Sequence, residues 1–554
     1  MVSSLAAESH LATGYGHMLS LGSLPFAEDL AIGARFLASL PSFLRTPFGV
    51  EEARAEVGRR FAAREARFLA MACRAFRPHP GNPYPTLFRA AGCEPADLAR
   101  LVGAEGVEGT LQALYRSGVY LTGDEFKGRT PVRRGGLTVA VDPAGLLNPG
   151  AVVHGLSQSS GSRGARTVVP IDLAFIRDHA VDTLLTLHAH GGDRWVHAHW
   201  GAPGGTAVTN PLEFAKGGNP PARWFSSIDL AAPGLHPRYR WGARALWLGS
   251  RLAGVPMPGA THVPLDDPTP IARWMANVLG QGRTPHLWTF ASSAVLVARA
   301  ATASGLDLTG ARFTAGGEPT TEARRAAVRR SGAEILARFG TTETDILAFA
   351  CARPRAPDDM HLLHDRHAVI QADSEVPATG FPPRALLVSS LLASAPVTLL
   401  NVSLGDTARL EQRACGCALE REGWPTHVWD VRSYEKLTAG GITFLDADLG
   451  RVLEEVLPAR FGGAPTDYQL VEEESVDGAP RVRLLVHPSL GPLPPEVVAD
   501  AFLQAVGGGR GGERIMELQW REAGVLRVER AVPRTTPSGK ILHLHVEPRR
   551  PPGG

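Results

Sequence analysis

Residues 50–76 read "VEEARAEVGRRFAAREARFLAMACRAF", with apolar side chains recurring every three or four positions, the period that buries one face of a helix. After the Pro/Gly break "RPHPGNPYP" the pattern resumes in "PADLARLVGAEGVEGTLQALYRSG" (95–118), so residues 1–130 are expected to form a mainly helical lead-in packed on the core. From about 137 to 430 short apolar runs alternate with helical patterns, as in "TEARRAAVRRSG" followed by "AEILARFG", which predicts a layered α/β core over residues 131–431. Residues 285–300, "PHLWTFASSAVLVARA", read as a strand and helix that wall a pocket or fill the core. Beyond 432 the pattern changes. "DLGRVLEEVLP" puts Leu449, Val452, Leu453, Val456 and Leu457 on one helical face, "DYQLVEEESVDGAPRVRLLVHP" reads as a hairpin turning at Asp477–Gly478, and "PPEVVADAFLQAVG" is a second amphipathic helix. Residues 432–554 are thus expected to be a small, mobile α+β domain, with "VGGGRGGE" (506–513) as a lid loop and "EPRRPPGG" as a disordered tail.

Composition narrows the class. A chain of 554 residues is long for one core, and 44% hydrophobic with 20% charged residues is ordinary for a soluble globular protein. A net charge of +2 gives no general pull toward nucleic acid or membranes, and no apolar run reaches the roughly 18–20 residues that span a bilayer. The first residues lack a basic segment followed by an apolar one, and five cysteines are too few for a disulfide framework in a chain this long. The expected location is the cytoplasm. Of 57 basic Lys and Arg residues only Lys127, Lys216, Lys436 and Lys540 are lysines, so each is a candidate for a place that needs a compact ammonium.

Candidate chemistry begins at "SQSSGSRGART" (157–167), where glycines permit the backbone N–H groups to curl around an anion. It is not the common nucleotide P-loop, because G-x-x-x-x-G-K-[ST] is absent. A strand in "GLTVAVDPAG" before it and the β-then-helix pattern of "TVVPIDLAFIRDHAVDTLL" after it supply the expected frame. Downstream, in order, come "FTAGGEPTT" (313–321), "RFGTTETD" (338–345), "NVSLGDTARL" (401–410) and "VPRTTPSGKIL" (532–542).

These five segments resemble the ordered motifs of the adenylate-forming superfamily that includes acyl-CoA synthetases. The resemblance covers roughly residues 150–545 and implies a large layered N-terminal adenylation domain with a mobile C-terminal lid. It assigns Ser159, Ser160, Gly161, Ser162 and Gly164 to the β- and γ-phosphates of ATP, and Gly316, Gly317 and Glu318 to adenine. Thr341 and Thr342 fall to nucleotide and phosphate contact, Glu343 to Mg²⁺, Asp406 to the ribose hydroxyls, and Arg432 to cofactor binding. Lys540 would set its ammonium between the substrate carboxylate and the α-phosphate. Arg432 through Lys436, with Gly440 and Gly441 behind them, stand where the superfamily has its interdomain hinge. Phe339, Leu404, Arg163 and Thr167 depart from the usual motif residues.

Within the superfamily the chain most resembles phenylacetate-CoA ligases, coenzyme F390 synthetases and LuxE-type acyl-protein synthetases, through Cys351, "DDMHLLHD" and "ACGCALE". Cys351, His361, Cys415 and Cys417 would make a Cys₃His set suited to a structural zinc, with His364 as the alternative nitrogen ligand and free thiols as the alternative reading. The pairs His188/His190 and His197/His199, near Trp195 and Trp200, are expected in the core or along an acyl pocket rather than on a metal.

The implied activity joins a small carboxylic acid to ATP, giving acyl-AMP, and passes the acyl group to a thiol of coenzyme A or a carrier protein's phosphopantetheine. Transfer to an amine or a protein cysteine is the alternative, though no cysteine follows Cys417 to carry an acyl group. A non-catalytic nucleotide- or acyl-binding scaffold in a biosynthetic complex is the third reading.

Overall fold

The computed structural model describes residues 25–546 apart from 159–167, 234, 373–380, 434–436, 440–441, 445–451, 464–466, 475–479, 509–511 and 535–543. The lead-in consists of helices α1 (Pro25–Leu44), α2 (Val50–Ala62), α3 (Arg64–Phe76), α4 (Tyr84–Ala90) and α5 (Pro95–Arg116). The single helix predicted over 50–76 breaks at Ala63, whose ψ of 6° leaves the helical range. Arg60 on α2 is fully buried, and its guanidinium meets Asp182 at 3.1 Å, Asp365 at 3.2 Å and Asp178 at 3.3 Å. Asp178 and Asp182 belong to α6 (Leu173–Ala189), so this one arginine ties the lead-in to the core.

Twelve strands form the main sheet: β1 (Val196–Gly201), β2 (Arg223–Ser226), β3 (Ala260–His262), β4 (Pro285–Phe290), β5 (Arg312–Gly316) and β6 (Glu334–Thr341), then β7 (Asp345–Ala350), β8 (Met360–Leu362), β9 (His367–Gln371), β10 (Ala385–Ser390), β11 (Val402–Gln412) and β12 (Thr426–Ser433). Their spatial order is β9-β10-β11-β12-β8-β7-β6-β5-β4-β1-β2-β3. The first six pair in parallel, and helices α7 (Gly205–Lys216), α8 (Pro237–Leu252), α9 (Thr269–Gly280), α10 (Ala291–Ala303) and α11 (Glu322–Arg329) connect them. The strand–helix alternation expected as far as 430 stops at β6, because every later pairing in the sheet is antiparallel and antiparallel neighbours need no helical crossover.

The strand before the serine loop also differs from expectation. "GLTVAVDPAG" supplies only Leu137–Val139 of a small hairpin, and Pro143 then opens a 3₁₀ turn that ends the run. The loop instead sits between the paired strands Gly155–Gln158 and Val168–Ile171, and α6 follows, its first turn capped by Asp172. The Asp172 carboxylate accepts from Ala174 N at 2.9 Å and from Val152 N at 2.8 Å.

A separate four-stranded sheet, β13 (Tyr468–Glu474), β14 (Pro480–Val486), β15 (Leu526–Arg530) and β16 (Leu544–Val546), has the order β15-β14-β13-β16. It packs with α12 (Pro495–Val506) and α13 (Gly512–Ala523) around Tyr468, Leu484, Phe502 and Trp520. The hairpin predicted there is present, while its turn at Asp477–Gly478 lies outside the described residues. So does Leu449; of that helical face Val452, Leu453 and Leu457 are buried, in a π-helical turn followed by an α-turn. The glycine run is no open lid at its ends: α13 begins at Gly512, and a Cβ on Gly507 would stand 2.2 Å from Glu517 Oε2. Ile515 on α13 packs with Ile228 and Leu235 of the large domain, and Gln519 donates to Ser227 Oγ. No helix among the described residues is long and apolar enough to cross a membrane.

Two lysines are accounted for by packing. Lys127 is buried, and Lys216 donates to Phe43 O and Thr46 Oγ1 at 2.8 and 2.7 Å, closing the C-terminus of α1. Of the four histidines expected in the core or along an acyl pocket, two are buried and two are not. His188 meets Asp193 at the surface, His190 Nε2 bonds Ala350 O, and His197 and His199 are buried on β1. His197 stacks on Phe214 and places Nδ1 2.8 Å from His286 Nδ1; burial pushes its imidazole down to about 3. A depressed histidine contributes stability above its unfolded value, and that contribution is lost as pH falls toward the folded one. Between pH 7 and 5 the wild-type protein is expected to lose about 2 kcal/mol more stability than His197→Gln. Denaturant melts of both proteins at the two pH values measure it; equal losses would show that His197 is protonated in the native state.

Candidate active site

The site forms where the parallel strands end, and the sequence of β5 and β6 explains its shape. Ala315 pairs with Ala337, which brings "AGGE" alongside "RFGT". Gly316 is buried because the Arg338 side chain crosses it: a Cβ there would stand 2.7 Å from Arg338 Cγ. Gly317 has φ 75° and lies against Phe290, where a side chain would clash at 2.8 Å. Glu318 is buried and held 3.3 Å from Arg324, so its carboxylate braces the turn into α11.

"GTTETD" makes the hairpin from β6 to β7. The register slips between Phe339 and Gly340, Thr341 pairs with Asp345, and residues 342–344 form the turn. Asp345 takes φ 54°, a left-handed conformation uncommon outside glycine, and its carbonyl passes so close to Gly340 that a Cβ there would lie 1.7 Å away. The turn is tied by Thr341 N donating to Thr344 Oγ1 at 3.1 Å. Glu343 is buried in this turn and caps no helix, while Arg338 to Thr342 and Asp345 keep partial exposure. The strand ends therefore present a glycine edge, two threonine hydroxyls and a carboxylate over a short span.

Asp406 and Arg432 stand on the adjacent strands β11 and β12, Asp406 opposite Ser433 and Arg432 opposite Thr407. Arg432 lies 3.4 Å from both Asp358 and Asp430. Ser159, Ser160, Gly161, Ser162, Gly164 and Lys540 lie outside the described residues, as do Lys436, Gly440 and Gly441.

Buried polar groups surround Arg338. Burial lowers the basicity of its guanidinium, and the nearby Asp345 and Glu213 charges oppose that. Burial would raise Asp345, but His179 Nδ1, 2.6 Å from its Oδ2, and then Arg338 hold it well below the usual carboxylate range. Burial, and then the Asp345 charge, push Glu213 well above its ordinary value. None of these residues was singled out from the sequence; Arg338 and Asp345 bound the "RFGTTETD" segment, which is the signal that could have found them.

A second cluster gathers the cysteines. The ligand atoms of Cys351, His361, Cys415 and His427 all lie within 4.8 Å of one another, and Cys417 Sγ is 3.1 Å from His361 Nε2. A hydrogen bond from the Cys351 thiol, then the His361 ring, pushes Cys417 below the usual thiol range, and the same bond raises Cys351. His361 Nδ1 contacts Trp424 O at 2.6 Å, and His427 Nδ1 contacts Asp359 Oδ1 at 2.7 Å, which leaves both Nε2 atoms for the cluster. His427 Nε2 is buried with no partner among the described residues. Metal-ligating histidines usually show this arrangement, donating their other nitrogen to a carbonyl or carboxylate. His427 had no spacing signal in the sequence. His364, the alternative ligand, instead packs its ring against Phe61 and bonds Leu362 O through Nδ1.

A pocket of about 510 Å³ lies near Trp195, Arg283 and Thr284, at the N-terminal ends of β1 and β4. Open α/β sheets bind ligands outside their carboxyl ends, so the glycine–threonine edge is the better candidate.

No family model matches the sequence, and neither does any curated protein. Among solved structures, the chain aligns with 2-hydroxyisobutyryl-CoA ligase, in complex with 2-HIB-AMP and CoA in the thioester-forming state. The alignment spans 88% of this chain and 90% of that one, with a TM-score of 0.51 and 14% identity. The chain shares the fold of that ligase. The amide bond synthetase McbA from Marinactinospora thermotolerans aligns over 91% of this chain and 98% of its own, with 14% identity and a TM-score of 0.41. The large sheet followed by the small α+β sheet is the architecture expected from the ordered motifs.

The hairpin geometry has a direct consequence. Gly340→Ala should destabilise the protein by about 2–4 kcal/mol, since its Cβ would overlap the Asp345 carbonyl. Gly204→Ala, with nothing within 4 Å of the added carbon, should stay within about 1 kcal/mol of wild type. Chemical denaturation compares the two, and equal midpoints would mean that the hairpin relaxes around the methyl group.

Proposed function

We propose that the protein activates a carboxylic acid with ATP and passes the acyl group to a thiol, of coenzyme A or of a carrier protein's phosphopantetheine. The observation that supports this reading is the pairing of β5 with β6, in which Ala315 and Ala337 are partners, so that Gly316–Glu318 and the start of "RFGTTE" leave the sheet from neighbouring strands at their carboxyl ends. In the first step a substrate carboxylate oxygen attacks the α-phosphate and pyrophosphate leaves. In the second the acceptor sulfur attacks the acyl carbon, AMP leaves, and the thiol proton passes to solvent.

Thr341 and Thr342 offer hydroxyl donors to phosphate oxygens, and buried Glu343 is the carboxylate that would hold Mg²⁺, which neutralises phosphate charge when bound. Ser159, Ser160, Gly161, Ser162 and Gly164 serve the outer phosphates, Asp406 the ribose, and Lys540 the charge that develops at the α-phosphate. Residues 1–431 and 432–554 would act as two domains, with a hinge between Arg432 and Lys436 that moves Lys540 in for the first step and out for the second. The amine-transferring alternative keeps the same first step, so the acceptor must be decided by experiment.

Carboxylate-dependent pyrophosphate exchange across a panel of acids tests the first step, and mass spectrometry with coenzyme A identifies the product of the second. Lys540→Ala and Glu343→Ala should each cut exchange about 10²-fold or more, whereas Asp406→Ala should mainly raise the KM for ATP. Unchanged exchange in all three variants would remove the proposal.

The cysteine cluster fits a structural zinc ion. Cys351, His361, Cys415 and Cys417 supply thiolate and imidazole donors, and His427 stands as a fifth candidate for four positions. Elemental analysis should find about one zinc per chain, and chelation or Cys417→Ser should lower the thermal midpoint while leaving the nucleotide dissociation constant unchanged. A metal-free protein that melts with the wild type would overturn the assignment.

A further inference from the structure

The structure holds several buried polar atoms beside the strand ends that the proposed ATP chemistry does not use. Arg338 Nε, His199 Nε2, Asn210 Oδ1 and Glu213 Oε1 are all buried and have no hydrogen-bond partner among the described residues. They lie in one layer. His199 is on β1, Asn210 meets it from α7, which also carries Glu213, and Arg338 comes from β6, its guanidinium 4.6 Å above the Trp288 ring. Asn210 Nδ2 lies 3.3 Å from His199 Nδ1, so these two side chains are each anchored at one end and left open at the other, while Glu213 takes a bond from Thr183 Oγ1 at 2.9 Å and lies against the Asp345 carboxyl. Leaving a buried polar atom unpaired is costly, so neighbouring unpaired atoms of this kind call for a partner.

We propose that these atoms form the tail pocket of the acyl site and select a carboxylic acid whose tail carries an uncharged oxygen function, a hydroxyl or carboxamide; this rests on the adenylation reading above. The donor and acceptor pattern sets the class. With Asn210 donating to Nδ1, His199 carries its proton on Nε2, so Nε2 and Arg338 Nε both point a donor at the ligand, and Asn210 Oδ1 accepts from it. A hydroxyl or carboxamide can accept and donate at once; a hydrocarbon tail would leave all of these atoms unpaired. Charge argues against a second carboxylate. The Asp345 carboxylate, held well below the usual carboxylate range, already offsets Arg338, so another anion would have no counter-charge. The rim is apolar and aromatic: Phe290 keeps partial exposure beside Gly317.

The test compares matched acids, 4-hydroxyphenylacetate against phenylacetate and ω-hydroxyalkanoates against alkanoates of equal length. Pyrophosphate exchange and ligand-induced thermal shift are both read. For the wild type, the oxygenated member of at least one pair should have a kcat/KM about 10-fold or more higher, with most of the difference in KM. Arg338→Met should bring the ratio within about 3-fold, and Asn210→Leu should do the same without removing a charge. A wild type that prefers the unsubstituted acids, or an Arg338→Met variant that slows both members equally, would overturn the proposal. If no acid supports exchange, adenylation fails; the pocket then stands only if oxygenated acids raise the melting temperature of wild type and not of Arg338→Met, and falls if they do neither.

Discussion

The fold depends on neutralising charge that has been taken out of water. Arg60 and Arg366 are fully buried, and Asp182 is shared between them, 3.1 Å from one and 2.7 Å from the other. Asp365 takes a second bond from Arg60 and a third from Trp424 Nε1 at 2.9 Å. With Asp178 and Glu56, four carboxyls face two guanidiniums, and burial followed by the Asp365 charge pushes Asp182 up to about 7. Removing one member of such a set typically costs about 3–5 kcal/mol because it strands its partners. The set joins α2, α6 and the segment before β9, so these elements are held in one arrangement.

That arrangement reaches the candidate site through Arg366 and His179. Arg366 donates to Ile346 O on β7, and His179, one turn along α6 from Asp182, contacts Asp345 at the start of the same strand. The left-handed backbone at Asp345 and its close approach to Gly340 are thereby braced from behind. Strain of this kind persists only where surrounding contacts over-determine it. The threonine–glutamate turn lies between the braced strands, and the phosphate contacts proposed for it would require a turn that does not reorganise.

The cysteine cluster holds a different region. Cys351 ends the chain's course out of β7, His361 sits on β8, His427 on β12, and the two cysteines of "CGC" lie in the connection between β11 and β12. A tetrahedral ion there would join three neighbouring strands and their loop at the start of the antiparallel half of the sheet.

By itself the sequence determined what neighbouring residues decide. Helical periodicity marked the lead-in, β-strand and helix alternation marked the parallel half, and five short motifs in order pointed to the adenylate-forming fold. Its errors were at places where a local pattern was overruled: the break at Ala63, the missing helices after β6, and the helix that starts at Gly512. Only the tertiary structure decided which distant side chains meet. Arg60 and Asp182 are 122 residues apart, and His361 and Cys417 are 56 apart. Nothing in the spacing of His427, Asn210 or Arg338 announces a ligand or a pocket. Their significance lies in a lone pair or an N–H left unpaired after burial, and burial is a property of the packed chain.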